Sequence, residues 1–497
     1  MIVKNRQIVS SVLICTLVLS AASCVGNNEK DPESNEITLT WYVPGNKQND
    51  MAAVMEEANK IVEPAIGAKI DLKMIDTFAF KEKINMMMAA SEQFDLVFTG
   101  AGNSYSECAQ KGGLLDITDM IDKYAPKLRD IVTDYAFKEV TIDGKIYGIP
   151  NMQIMAGERA IFVQKKYAEE YGLDPDSIQK PEDLEPFLAW VHEKYPDLYP
   201  YNPGQGLGVW DCMNYTELEY TIGYSYLDLI DGDNKIKAVW IRETEDDQQA
   251  INTLREWYLK GYIRPDELSI TDEALDMKAG KYVVTTGLWK PGFEAEAYNT
   301  TGRDYIAVKY IHNYREANNI PDITFGDEAK NTMISVSRTC KDPEKALKFI
   351  ELVNTNAELY NLLAFGIEGK HYTVNDDNKI VLNADSGYYH NASWKFGCTY
   401  NAKIMEGQDE DVWIETKKLN DSAATSPMGG FTFDTKSVVN EISAITTLNS
   451  QYKVMACGAE DKDVYWDEYV SKMKTAGIET VRAEYERQMN EFLSSNQ

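Results

Sequence analysis

Residues 36–100 constrain this chain more than any other stretch. EITLTWY (36–42) alternates as a strand does, and a helix follows from about Asn49, with Val54, Met55, Ala58, Ile61 and Val62 at helical spacing. KIDLKMI (69–75) is a second strand, a Met-rich helix runs over about 80–91, and FDLVFTG (94–100) is a third strand. This β-α-β-α-β order predicts a largely parallel sheet with helices on its faces. Within it, the Met86-Met87-Met88 run reads as core packing, and Asp95 as a strand-start or capping residue. Farther on, TIDGKIYGIP (141–150), IDGDNKIKAVW (230–240) and YTVNDDNKIVLN (372–383) read as hairpins. In GKYVVTTGLWKPGF (280–293) a short strand is expected to stop at Gly287, with Trp289 just past its end. From about 440 the chain reads as mostly helical.

At 497 residues the chain is too long for one hydrophobic core and suits two large lobes. A formal net charge of −29 repels phosphate backbones and anionic lipid, which argues against nucleic acid as a partner.

The N-terminus carries its own signal. Lys4 and Arg6 precede an apolar run over 8–19 that is too short to span a bilayer, and Ala21-Ala22-Ser23-Cys24 follows. That tetrad resembles a bacterial lipobox, with Ala21 where Leu is usual. The resemblance implies a signal peptide over 1–23 and a mature chain lipidated, with palmitate among its acyl groups, at Cys24. Residues 24–36 are polar and unpatterned, a flexible tether reaching about 40 Å when extended. The other cysteines beyond the signal, Cys108, Cys212, Cys340, Cys398 and Cys457, are widely spaced and form no CxxC, so they read as small buried residues.

Catalytic motifs are missing. No GxSxG, HExxH, P-loop or GxGxxG is present, and none of His192, His312, His371 and His390 sits at ligand spacing to another. His371 reads as structural. With 79 carboxylates, a pair suited to glycoside hydrolysis can always be imagined and carries little information. The chain is expected to bind something without transforming it, with no cofactor and no metal.

FDLVFTGAGNSYSECAQKGGLLDITDMIDKYAP, DGKIYGIPNMQ, AIFVQKKYAEEYGLDP, MKAGKYVVTTGLW and SVSRTCKDPEKALKFIELVNTNAELYNLLAFGIEGKHYTV occur here in that order. Together they resemble the extracellular solute-binding proteins of bacterial ABC importers, in the carbohydrate-binding cluster that includes the maltose-binding protein. FGIEGKHYTV and SPMGGFTFDTKSVVNEI resemble a lipoprotein subgroup with a C-terminal domain of unknown function. The resemblance implies an α/β fold of two lobes joined by hinge strands. The expected division is 37–150 plus about 301–370 for one lobe and 151–300 plus about 371–497 for the other. It further implies a monomer on the outer face of the cell membrane that closes over an oligosaccharide and hands it to permease subunits. A surface glycoside hydrolase, a binding protein for a non-sugar solute and a structural adhesin are the alternatives.

A pyranose offers an apolar C–H face and a hydroxyl rim, which Trp and Tyr rings with nearby polar groups can match. The candidate ligand contacts are therefore Trp289, Trp41, Tyr42, Trp210 with Asp211, Trp394, Phe431 and Phe433, with Gly100, Asn103 and Ser104 supplying hydrogen bonds. Trp289 reads first as a ligand contact, with core packing the alternative, while Trp41 and Tyr42 could equally plug the core. Trp190, Trp257, Trp413 and Trp466 fall in helical patterns and read as core.

Overall fold

A computed structural model describes residues 37–495 apart from 101, 103, 104, 205–212, 231–234, 270–272, 326 and 391. The expected alternation opens it: β1 (Thr38–Pro44) buries Leu39, Trp41 and Val43 on one face. α1 (Met51–Ile66) buries Val54, Met55, Ala58, Val62 and Ile66, then ends where Gly67 turns left-handed and returns its N–H to the Glu63 carbonyl. β2 (Lys69–Ile75) pairs with β1 in parallel along its whole length. α2 (Thr77–Ala89) starts from Asp76, whose carboxylate accepts from the N–H groups of Phe78 and Ala79. Of the methionine run, Met87 is buried, Met88 is half-buried and Met86 is exposed, so core packing explains only part of it. β3 (Leu96–Thr99) flanks β1 on its other side, also parallel. Asp95 ties the two strand starts together, accepting from the Thr40 N–H at 2.9 Å and the Thr40 hydroxyl at 3.1 Å. After α3 (Tyr105–Gln110), the hairpin of Thr141–Ile142 with Lys145–Ile146 turns on Asp143 and Gly144 at φ +50° and +76°, the left-handed pair a tight turn needs. β4 (Gly148–Pro150) follows.

A second sheet is built next. The elements of this stretch are β5 (Glu158–Gln164), β6 (Tyr199–Tyr201), β7 (Tyr215–Glu217), β8 (Ile222–Ser225), β9 (Ala238–Trp240), α4 (Glu245–Leu259), β10 (Tyr282–Trp289), α5 (Phe293–Thr301), β11 (Tyr305–Val308) and α6 (Tyr310–Ala317). The sheet order is β11-β5-β10-β6, with only β6 and β10 parallel, while β7, β8 and β9 form a small antiparallel sheet. Three expectations change here. β10 does not stop at Gly287 but runs on to Trp289, paired with Glu158. A Cβ at Gly287 would lie 2.7 Å from the Phe162 ring, so glycine makes room for that ring inside a continuing strand. The 230–240 segment is not a self-contained hairpin: Tyr226–Ile230 is helical, and β9 pairs with β8. Finally, β11 hydrogen-bonds β5 and α6 packs on it, so 305–317 belong with the second sheet and not the first.

The chain then returns. β12 (Met333–Val336) inserts between β3 and β4, antiparallel to both, and completes the order β2-β1-β3-β12-β4. Four strands of this sheet run in one direction and β12 alone opposes them, because the returning strand enters from the opposite end. α7 (Pro343–Thr355) and α8 (Ala357–Phe365) pack on α1. The hairpin Tyr372–Val374 with Ile380–Leu382 forms as read. His371 is buried and structural: its Nδ1 accepts the Ile367 N–H at 2.8 Å, and its Nε2 lies 3.2 Å from Asp50. Tyr388 and Phe396 stay with the first sheet, since Phe396 packs edge-on to Trp41 at 5.7 Å and the Tyr388 hydroxyl donates to the Leu363 carbonyl. After α9 (Val412–Ser422), the expected helical tail appears as α10 (Val439–Ala456), α11 (Lys462–Ala476) and α12 (Ile478–Ser495). Tyr469, Met473, Tyr485 and Met489 of the tail join Trp240, Leu254 and Trp257 in one core. Cys108, Cys398 and Cys457 are buried free thiols, with Cys108 pushed up to about 12 by burial, while Cys340 is half-buried.

Candidate ligand-binding cleft

The chain passes between the two sheets three times: from β4 to β5, from α6 to β12, and from α9 to α10. The passages brace one another. The Asn151 N–H donates to the Thr332 carbonyl at 2.9 Å, and the Ala424 N–H to the Thr324 carbonyl at 2.9 Å. Asn420 on α9 uses its whole amide on the first passage. Its oxygen accepts from the N–H groups of Met155 and Ala156 at 2.7 and 3.1 Å, and its nitrogen donates to the Gln153 carbonyl and the Tyr400 hydroxyl at 2.6 and 2.9 Å. Gln153 in turn donates to the Thr332 hydroxyl.

Two chambers open beside these passages. The first, of about 480 Å³, is walled by aromatic and apolar side chains interleaved with threonines and other polar groups. Phe162 and Phe293, stacked at 3.7 Å, line it together with Trp394, whose ring is edge-on to Phe98 at 5.9 Å. Asn151 fixes Trp394 by donating to its carbonyl at 3.0 Å. An ion pair of Lys290 with Glu296, 2.6 Å, sits on the wall, a short-range donor and acceptor set for hydroxyls. The second chamber, about 720 Å³, meets the first at Asn331. Gly102 and Tyr105 bound it on the first-sheet side; Glu219, Tyr220, Phe431 and Phe433 bound it on the other. Tyr220 and Thr221 hold φ of +60° and +62°, a left-handed conformation that costs side-chain-bearing residues energy and recurs at functional sites. The Trp240 indole N–H, donating to the Thr221 hydroxyl at 3.1 Å, helps to hold them there.

The candidate residues scatter across this picture. Trp394, Phe431 and Phe433 reach the chambers, although Phe433 also stacks on Tyr485 at 3.6 Å within the core. Trp289 shares a sheet face with Phe162 and packs on that cluster; Lys309 covers its ring, with Nζ 3.2 Å from the centroid. Burial depresses the Lys309 pKa there, against the pull of Glu158. Trp41 is fully buried between Phe349 and Phe396 and is core. Tyr42, on the opposite face of β1, is half-buried edge-on to Phe94 at 5.8 Å. Gly100 has a steric reason to be glycine, since a Cβ would lie 2.0 Å from the Asn331 carbonyl of the second passage. Asn103, Ser104, Trp210, Asp211 and Cys24 lie outside the described residues. Trp257 is core as read, Trp190 and Trp466 pack against that core, and Trp413 borders a small cavity and donates to the Ala402 carbonyl. Gln153, Lys290, Glu296, Asn331, Glu219 and Tyr220 were not singled out from sequence. Among the described residues, no helix is long and apolar enough to cross a membrane, and no group of three or more His, Cys, Asp or Glu could hold a metal ion.

Residues 66–367 match the family model for bacterial extracellular solute-binding proteins, and 427–494 match a domain of unknown function, DUF3502. A carbohydrate ABC transporter substrate-binding protein of Streptococcus pneumoniae is 27% identical over 98% of both chains. The N-glycan transport solute binding protein NgtS of the same organism, solved in complex with Man1GlcNAc, superposes with a TM-score of 0.76 at 25% identity, covering 92% of this chain and 100% of that one. Its complex with Man5GlcNAc gives 0.75 at 25% identity, covering 93% and 100%. The family is one of binding proteins, not enzymes, and the mixed α/β architecture matches that of solved solute-binding proteins. This chain belongs to the bacterial extracellular solute-binding protein family.

Proposed function

We propose that this chain is the capture component of an ABC importer and that its ligand is an oligosaccharide held in the two-chamber cleft. The carrying observation is the first chamber, which Trp394 lines together with the stacked Phe162 and Phe293. Rings in the chamber wall suit the apolar face of a sugar, and the Lys290–Glu296 pair suits its hydroxyl rim. The lobes follow the sheets, with three passages as the hinge and 305–317 and the tail in the second lobe. Closure is driven by ligand that touches both sides, since only differential contact shifts such an equilibrium. The N-glycan complexes of NgtS and the carbohydrate relative support a sugar over a peptide or anion.

The lipobox-like 21–24 supports anchoring through Cys24 to the outer face of the cell membrane, with the chain acting as a monomer beside its permease. Radiolabelled palmitate should be incorporated by the wild type and lost in Cys24→Ser, which should appear in the medium. The ligand reading is tested by calorimetric titration with an oligosaccharide panel, with chromatography of the mixture afterwards. Saturable binding with intact sugar is expected. Cleavage of the sugar, or saturation by peptides alone, defeats it.

A further inference from the structure

The cavity that Trp413 borders, about 40 Å³, lies beside the first chamber and shares Gln153, Ile154, Lys290, Glu296 and Trp394 with it. It has room for a few water-sized groups and for no sugar ring. Next to it the start of α5 closes tightly on the segment 405–412. A Cβ at Gly292 would lie 2.7 Å from Val412 and 3.0 Å from the Gln408 amide nitrogen, and one at Gly407 would lie 3.2 Å from Ala295. A group entering from the first chamber passes the shared wall, where Lys290 and Glu296 pair at 2.6 Å.

Two polar groups bordering this cavity are left over by the fold. A carbonyl only accepts, so His390 donates from Nε2 to the Leu363 carbonyl at 3.1 Å and carries its lone pair on Nδ1. That Nδ1 is buried and has no partner among the described residues. Burial pushes His390 down to about 4, so the ring stays neutral and keeps this tautomer. Gln408, 3% exposed, spends its amide oxygen on the Met405 N–H at 2.9 Å. Its amide nitrogen makes no hydrogen bond among the described residues. One acceptor and one donor therefore border the cavity with nothing to replace their lost hydration. A hydroxyl serves both through a single oxygen. A carboxylate has no hydrogen for Nδ1, and an ammonium has no lone pair for the amide.

We propose that this cavity is a subsite for the exocyclic hydroxymethyl group of a hexose lying in the first chamber, its hydroxyl donating to His390 Nδ1 and accepting from Gln408 Nε2. This rests on the oligosaccharide reading above and narrows it to chains with a hexose whose primary hydroxyl is free. Pentoses and 6-deoxy sugars lack the group and leave both partners unserved.

The test titrates the full chain by calorimetry with mannopentaose, chitotetraose and cellotetraose, then with the 6-deoxy analogue of the tightest of them, and crystallises the protein with and without that sugar. Wild type should bind the 6-deoxy analogue at least about tenfold more weakly than the parent. His390→Gln can still donate to the Leu363 carbonyl, and Gln408→Glu keeps the acceptor for the Met405 N–H. Each should weaken the parent about tenfold and bind parent and analogue within about threefold of each other, with urea denaturation showing the variants folded. In the crystals, water should bridge Nδ1 and Nε2 without ligand, and a primary hydroxyl of the sugar should replace it in the complex. Equal wild-type affinity for parent and analogue, or a complex that keeps the water while the sugar sits in the first chamber, overturns the subsite and leaves the oligosaccharide reading standing. Folded variants that discriminate as the wild type does overturn it too. Binding of no saccharide at all defeats both.

Discussion

Replacing Asn420 by Ala tests whether the first passage is held by one side chain. The substitution removes the acceptor for the N–H groups of Met155 and Ala156, each 2% exposed, and the donor to the Gln153 carbonyl and the Tyr400 hydroxyl. An unsatisfied buried donor costs about 1–3 kcal/mol, while a carbonyl left with one bond fewer tolerates the loss better. Two orphaned N–H groups therefore put the loss at about 2–6 kcal/mol. The 240 Å³ cavity that Asn420 borders gives water access, which places the value toward the lower end. Urea denaturation followed by circular dichroism measures it. Asn420→Asp is the informative companion: it keeps the acceptor for both N–H groups but turns a carboxylate oxygen toward the Gln153 carbonyl, which now sits 2.6 Å from a donor. Its loss should be of similar size and should shrink as acid protonates the new carboxyl. Because Gln153 lines the first chamber, ligand affinity should fall in both variants. An Asn420→Ala protein within about 0.5 kcal/mol of wild type, the range of ordinary surface changes, would refute the reasoning.

Other outcomes follow from the same structure. Trp41→Ala should cost about 3–5 kcal/mol in denaturation while leaving affinity unchanged where the protein is folded; lost affinity at full stability would put the ring back at the ligand. Trp394→Ala should weaken the best oligosaccharide by about 1–3 kcal/mol in calorimetry, by analogy with stacking on bases, and Trp289→Ala by less, since Lys309 already covers that ring. The hydrogen bond to Asp322, 2.6 Å, raises the His312 pKa, with Glu158 and Glu316 adding to it. His312 therefore contributes stability that is fully present below about pH 6.5 and lost as pH rises through its raised value. Burial opposes ionisation of Asp322, but hydrogen bonds from His312 and Arg315 lower its pKa, so its contribution is present above about pH 3.9 and lost as pH falls further. Thermal melts across pH should show His312→Gln losing the alkaline decline; an unchanged profile would dismiss the pair.

How much of this was legible in the chain divides along a physical line. Period-two and helical spacing located β1, α1, β2 and β3, Asp143-Gly144 gave the turn, and the run past 440 gave the helical tail, because each depends on residues a few positions apart. Gly287 misled because the reason for it, the Phe162 ring, lies on another strand. Trp41 and Tyr42 are adjacent and equally aromatic; only the packing of Phe349 and Phe396 decides that one is fully buried and the other half-exposed. The cleft itself was legible as a class of site, from the order of the motifs and the absence of catalytic ones, but not as a set of residues. Gln153, Asn331 and Trp394 come from three separate passages or returns of the chain. Sequence by itself determined the elements, the acidic charge and the family resemblance, all carried by local pattern. Tertiary structure alone decided which strand pairs with which, which rings face the chambers and which glycine yields to which neighbour, because those outcomes depend on contacts between residues hundreds of positions apart.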